Sequence, residues 1–322
     1  MAAPPLAIPV VTTAAYPVDA TVGDSVAEAE KPPKKKRRIK ALISIILLSL
    51  ALATAGGFLA YYLIQLDKAQ SRIEEQDREI EEQKNIIDKK ETFGAAMSAL
   101  MDTAAKFDGV LVADMVPFHR YEVYAAQGWA HRWKASTMDR HIDEVQTATT
   151  ELEGLLAAAT AEASANVTGT IYETITDQLG AGYVSSVIDD ADTLCEDDVI
   201  ACVVSDNPHV VHFDAGDNAL PYMTDWLKTG VAYHEFAHVM QDTNPEPTET
   251  ALASFDGDVE TMADCFALTY LDGWKLDHRV WVSSYMYWDV SIGYGYTCNE
   301  TQRQVIRDWY GQLGFHIQPI SQ

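Results

Sequence analysis

Gly230-Val231-Ala232-Tyr233-His234-Glu235-Phe236-Ala237-His238-Val239-Met240-Gln241 is the stretch on which the reading of this chain turns. It contains no Pro, and its single Gly stands at its start, so it suits a helix. Residues four apart share a helix face, so the imidazoles of His234 and His238 can both reach one metal ion. Glu235 lies one step round, beside them, where it can take a proton from a metal-bound water and pass it to a leaving amine. A pattern this short also arises by chance, so a third ligand has to be found nearby.

Several carboxylates follow His238 closely: Asp242, Glu246, Glu249, Asp256, Asp258, Glu260 and Asp264. Asp242 is one turn beyond His238, with a side chain too short to reach the same metal. Asn244-Pro245-Glu246-Pro247 reads as a Pro-broken turn, a poor platform for Glu246 or Glu249. Asp256 and Asp258 flank Gly257 and suit the start and cap of the next helix. Glu260, 22 residues past His238, has the longer reach and sits in a helix already turning. Two His and one carboxylate leave a tetrahedral position for water, as catalytic zinc (Zn2+) requires. Asp264, one turn on, is placed to orient a ligand imidazole from behind. Metzincins need Gly and His three and six residues past the second His, where this chain has Gln241 and Asn244, and are excluded.

His-Glu-Phe-Ala-His at 234–238, followed by Glu-Thr-Met-Ala-Asp-Cys-Phe-Ala at 260–267, resembles the gluzincin class of zinc peptidases. Within it the chain is most similar to the bacterial neutral zinc metallopeptidases, whose second helix reads E-x-x-A-D-C. The resemblance spans about residues 205–300 and does not reach residues 1–180. It implies His234, His238 and Glu260 as zinc ligands, Glu235 as general base, and peptide bonds in peptides or proteins as the substrate. Ala237 stands where those relatives often carry Gly, a small change. Such an enzyme also needs a donor for the tetrahedral oxyanion. Tyr294 and Tyr296, in the Gly-rich stretch Gly293-Tyr294-Gly295-Tyr296, are candidates, and so is His278. Packing into the core is the competing role for each.

The four cysteines lie beyond residue 190. Cys195 and Cys202 flank the turn Glu196-Asp197-Asp198 and are natural disulfide partners, which leaves Cys265 for Cys298. The second bridge would bring the Tyr294–Tyr296 stretch towards the zinc helices. The spacing matches no zinc-finger pattern.

Towards the N-terminus the character changes twice. Residues 1–40 form an Ala/Pro/Val/Thr-rich tail ending in the basic cluster Lys34-Lys35-Lys36-Arg37-Arg38-Ile39-Lys40. The 26 uncharged residues Ala41–Leu66 follow at once. That run exceeds the roughly 20 residues a helix needs to cross a bilayer. Basic residues mark the cytoplasmic flank, and Tyr61 and Tyr62 suit the far interface. The reading is a single-pass protein of the cell membrane, with its N-terminus cytoplasmic and the zinc domain extracellular. A cleaved signal peptide is the rival, suggested by Ala51-Leu52-Ala53. It is disfavoured by the continuation of the run to Leu66 and by the long leader. Residues 67–92 read as a solvated helical stalk, in which Ile73, Ile80 and Ile87 continue from Leu66 a repeat of seven residues. The companion positions are polar, so at most a weak homodimer is expected.

Residues 93–322 complete the picture: a helical part over 93–180, then a sheet and the zinc-site helices over 181–322. Helices are expected at Ala95–Phe107, Phe118–Lys134 and Asp139–Ala163, with Trp129 and Trp133 packed in the core. His119, His131 and His141 lack partners at ligand spacing and read as structural or exposed. Tyr183–Ile188, Val199–Val204 and His209–Phe213 suggest a small antiparallel meander. The fold class is α+β, a mainly helical zincin-like domain with a small antiparallel sheet, preceded by a transmembrane helix and a stalk. Residues 67–322 carry 16 Lys and Arg against 44 Asp and Glu. Such a field repels nucleic acid and anionic lipid, so no nucleic-acid partner is expected. Two other functions compete with the peptidase. One is a non-enzymatic surface sensor or binding protein on a zincin fold, the other a zinc hydrolase of a non-peptide bond.

Overall fold

The computed structural model describes residues 34–195, 198–295 and 298–316. These residues are mostly helical, with two small sheets. The chain divides into two compact units, Met1–Asp77 and Arg78–Gln322.

Helix α1, Lys34–Ala104, has no break where the tail, apolar run, stalk and first globular helix were expected to meet. No Pro interrupts it, and Gly56, Gly57 and Gly94 have open space around them. In the first unit its side chains from Leu42 to Leu66 are exposed, and it is long and apolar enough to cross a membrane. Charge and heptad spacing beyond Leu66 keep the helix going after its apolar composition ends.

In the second unit, α2 (Phe118–Ala130) and α3 (Ala135–Ala165) form a helical layer on the last turns of α1. The apolar stripe of α3, with Val145, Ala148 and Leu152, packs against Ala96, Leu100, Ala104 and Phe107. Asn166 ends α3 in the left-handed region, which Asn tolerates. Trp129 and Trp133 do not join this core: they are 70% and 65% exposed. They stand where α2 gives way to the turn before α3, and Arg132 and Lys90 cover their rings instead of apolar groups. Among the three histidines of this layer, His141 is buried, with Nδ1 2.9 Å from Glu144 and Nε2 3.1 Å from His131.

Helix α4 (Ile171–Gly180) leads into β1 (Ser185–Asp189), the short α5 (Ala191–Leu194), β2 (Ala201–Val203) and β3 (Val210–Asp214). The strands form a mixed sheet of order β1-β3-β2, not an antiparallel meander. β3 inserts between the other two, parallel to β1 and antiparallel to β2. The α5 segment, tied to β2 by the Cys195–Cys202 disulfide, carries the chain past the central position, so β2 is left at the edge.

After α6 (Ala215–Asn218) come the central helix α7 (Asp225–Thr243), α8 (Pro245–Leu252) and α9 (Val259–Tyr270). The Pro-rich segment after Asn244 is thus a helix rather than a turn, because Pro245 occupies its first position, where no N–H is needed. A hairpin of β4 (Asp277–Ser283) and β5 (Met286–Ser291), unforeseen in the sequence, precedes α10 (Glu300–Tyr310). The main core lies between α7, α9, α10 and the mixed sheet, where Phe213, Phe236, Phe266 and Trp309 are fully buried. Each such side chain contributes on the order of 2–3 kcal/mol.

Asp177 on α4 is buried with Oδ1 unpartnered. Burial first, then the charges of Glu173 and Glu162, raises its carboxyl from 3.8 to about 6. A raised pKa means that the folded state holds the proton more tightly. Stability is therefore fullest below about pH 3.8 and falls as pH rises to about 6. Asp177→Asn should stabilise the protein at pH 7 by about 1–3 kcal/mol and lose that advantage near pH 4. Denaturant titrations at the two pH values would check this, and an equal gain at both would refute it.

Candidate metal centre

The site grows from two capped helices. Thr224 caps α7 by accepting from the N–H of Leu227, and Asp258 caps α9 by accepting from Glu260 and Thr261. Asp256, the other expected cap, ends the preceding turn in the left-handed region instead. Phe236, Val239 and Met240 are buried on the far side of α7, which leaves the stripe of His234 and His238 facing α9. Gly230 admits the ring of Trp274, which a Cβ there would meet at 2.0 Å.

His234 Nε2, His238 Nε2 and Glu260 Oε2 lie 3.1 Å from one another, each from each. The remaining ring nitrogens fix the protons. Gln241 donates through Nε2 to the carbonyl of Val259 at 3.0 Å, so its Oε1 faces His238 Nδ1 at 2.8 Å. Nδ1 of His238 is then the donor, and its Nε2 carries a lone pair. His234 Nδ1 lies 2.9 Å from Asp264 Oδ1, while the other oxygen of Asp264 accepts the Tyr294 N–H at 2.8 Å. This leaves a lone pair on His234 Nε2 as well. Three electron-rich atoms thus converge on one point, an arrangement that a cation must relieve.

Electrostatics carries the same message. Burial works against charge on His234, but hydrogen bonds to Asp264 and Glu260 and the nearby Glu235 outweigh it, lifting the metal-free imidazole to about 10. Burial also opposes ionisation of Glu260, yet the two imidazoles hold its carboxyl well below the usual range. The cluster can hold either a proton or a metal ion at its centre. A metal fits better, since one proton cannot bridge all three atoms. Donors bound to one zinc at about 2.0–2.1 Å with tetrahedral angles stand about 3.3–3.4 Å apart, close to the separation found.

Glu235 is buried beside these donors, and its Oε2 has no protein partner. Burial raises its carboxyl above the ordinary value. Glu235, His234 and Tyr294 all line the same cleft, which is bounded by Ala201 and Val203 of the edge strand β2 and by Val199 just before it. The Tyr294 ring lies 6.0 Å from that of His234. Burial pushes this phenol up to about 12, which keeps it a donor. Tyr296 lies outside the described residues. His278 packs on Trp274 at 4.5 Å and lines neither part of the cleft. Asp242 and Glu249 reach the cleft wall but not the triad.

Disulfides join Cys195 to Cys202 and Cys265 to Cys298. The second ties α9 to the segment that carries Gly293 and Tyr294. Three contacts of the site were not read from the sequence: Gln241 on His238, the Tyr294 N–H on Asp264, and the close approach of Gly293. Only the first had a local signal, its spacing of three residues on one helix. Gly293 has φ of 106°, and a Cβ there would meet Asp264 Oδ1 at 2.7 Å. No protein-family model, no curated protein and no solved structure matches the chain.

Proposed function

We propose that this chain is a membrane-anchored zinc peptidase of the gluzincin type, hydrolysing peptide bonds outside the cytoplasm. The observation that carries the reading is the convergence of His234 Nε2, His238 Nε2 and Glu260 Oε2 beside the unpartnered carboxylate of Glu235. Two imidazoles and one carboxylate are a donor set of catalytic zinc, one coordination position short of a tetrahedron. The ion bound there supplies a Lewis acid for water and for the scissile carbonyl. Glu235 accepts the proton of the attacking water and returns it to the departing amine. The Tyr294 hydroxyl donates to the oxygen that becomes negative as the carbonyl turns tetrahedral. Asp264 and Gln241 hold the imidazole tautomers that leave both Nε2 atoms free to bind.

The exposed apolar stretch of α1, preceded by a basic cluster and followed by an acidic chain, supports an anchor with its N-terminus inside. Metal analysis of the full chain, purified in detergent, should find about one zinc per chain. A broad peptide library should be cut by that preparation and spared after chelation. A metal-free preparation that still cleaves would overturn the assignment.

A further inference from the structure

The β4–β5 hairpin breaks the pattern of the surface around it. Trp281, Val282, Tyr285, Met286, Tyr287 and Trp288 are between 42% and 87% exposed. Register puts Trp281 opposite Tyr287 and Val280 opposite Trp288, so these pairs stand on opposite faces of the ribbon. Trp288 touches Tyr222, its rings 5.7 Å apart, yet stays half exposed. The tip thus presents apolar groups on both sides and at its turn. A flat protein surface covers one face of such a ribbon, whereas a fluid apolar phase covers both.

Charge points to the same occupant. Val280–Trp288 carries no charged residue, in a chain whose formal net charge is −25. The next pair down, Arg279 and Asp289, is charged and mutually neutralised, with Nε 2.8 Å from Oδ1. Four of the nine tip residues are Trp or Tyr, the side chains that settle at the boundary of hydrocarbon and headgroups. An acidic molecule approaches a lipid surface at least cost through an uncharged patch, and a zwitterionic surface adds no repulsion.

We propose that the tip of this hairpin, Val280–Trp288, inserts into the headgroup region of a zwitterionic bilayer, as a membrane contact additional to α1. The inference stands independently of the metal centre.

The full chain contains seven Trp, all at or beyond position 129, so none lies in the apolar run. Reconstituted into phosphatidylcholine vesicles that include brominated phosphatidylcholine, it should show tryptophan quenching by the bromines. Val282→Ser with Met286→Ser keeps both hairpin Trp and should cut the quenched fraction by about half or more. Tyr285→Asp should do the same, and all three positions are more than half exposed, so folding is spared. Trp129→Phe with Trp133→Phe should leave hairpin quenching in place, and added phosphatidylserine should not raise it. Absence of quenching overturns the proposal. So does quenching unchanged by the hairpin variants, lost with Trp129 and Trp133, or strengthened by phosphatidylserine.

Discussion

Glu235→Gln should leave the metal content of the protein unchanged and lower peptide turnover by about 10²–10⁴-fold, the contribution of a general base. The reasoning begins with what Glu235 does not do. Its carboxylate belongs neither to the converging triad nor to a helix cap, and Oε2 is buried without a protein partner. Holding a buried carboxylate in that state is costly. Gln has nearly the same shape, so the packing around the buried side chain is preserved, but it cannot accept the proton of an attacking water. Zinc analysis and turnover, measured on one preparation, separate the roles. A variant that loses the metal would make Glu235 a structural support, and one that keeps full activity would rule out the water mechanism.

The features legible in the sequence were those set by helical period. A spacing of four puts His234 and His238 on one face, and the same spacing relates Glu260 and Asp264 on α9. Asp258 was readable as a cap because the residue type and the turn before it agree. What failed depended on neighbours distant in the chain. Trp129 and Trp133 share a face, but periodicity does not say whether anything covers that face, and here only Arg132 and Lys90 do. The three short strands were recognised, but their order was not, since alternation carries no information on which strand lies in the middle. The β4–β5 hairpin was missed for the reason that makes it interesting: apolar residues on both faces erase the period of two. Pro245 misled because the same residue breaks a helix interior and opens a helix start. Within the site, Gly293 and the Tyr294 N–H meet Asp264 only after the Cys265–Cys298 bridge and the hairpin have folded their segment onto α9.

Glu260→Ala should empty the metal centre at micromolar zinc, while Asp264→Asn should keep the metal and lose about 10–100-fold in affinity or activity. The two acids are one helical turn apart and both touch His234, so the distinction rests on which atom each one faces. Glu260 Oε2 lies 3.1 Å from both Nε2 atoms, at the point where the lone pairs meet. Asp264 Oδ1 lies 2.9 Å from Nδ1, on the far side of the ring, and is buried there. Truncating Glu260 removes one of three donors, the one whose negative charge faces the point where a cation would sit. Asn at 264 can still accept through its carbonyl oxygen, either from His234 Nδ1 or from the Tyr294 N–H. Its amide then offers the other partner a donor where a carboxylate oxygen stood. If that partner is Nδ1, the imidazole turns to the wrong tautomer in part of the population, and the metal competes with a proton on Nε2. The outcome is a weakened site rather than an absent one. Equilibrium dialysis with zinc across the wild type and both variants gives the ranking directly. Should Asp264→Asn empty the centre while Glu260→Ala retains zinc, the third donor is the aspartate, and the convergence of atoms around Glu260 has been misassigned.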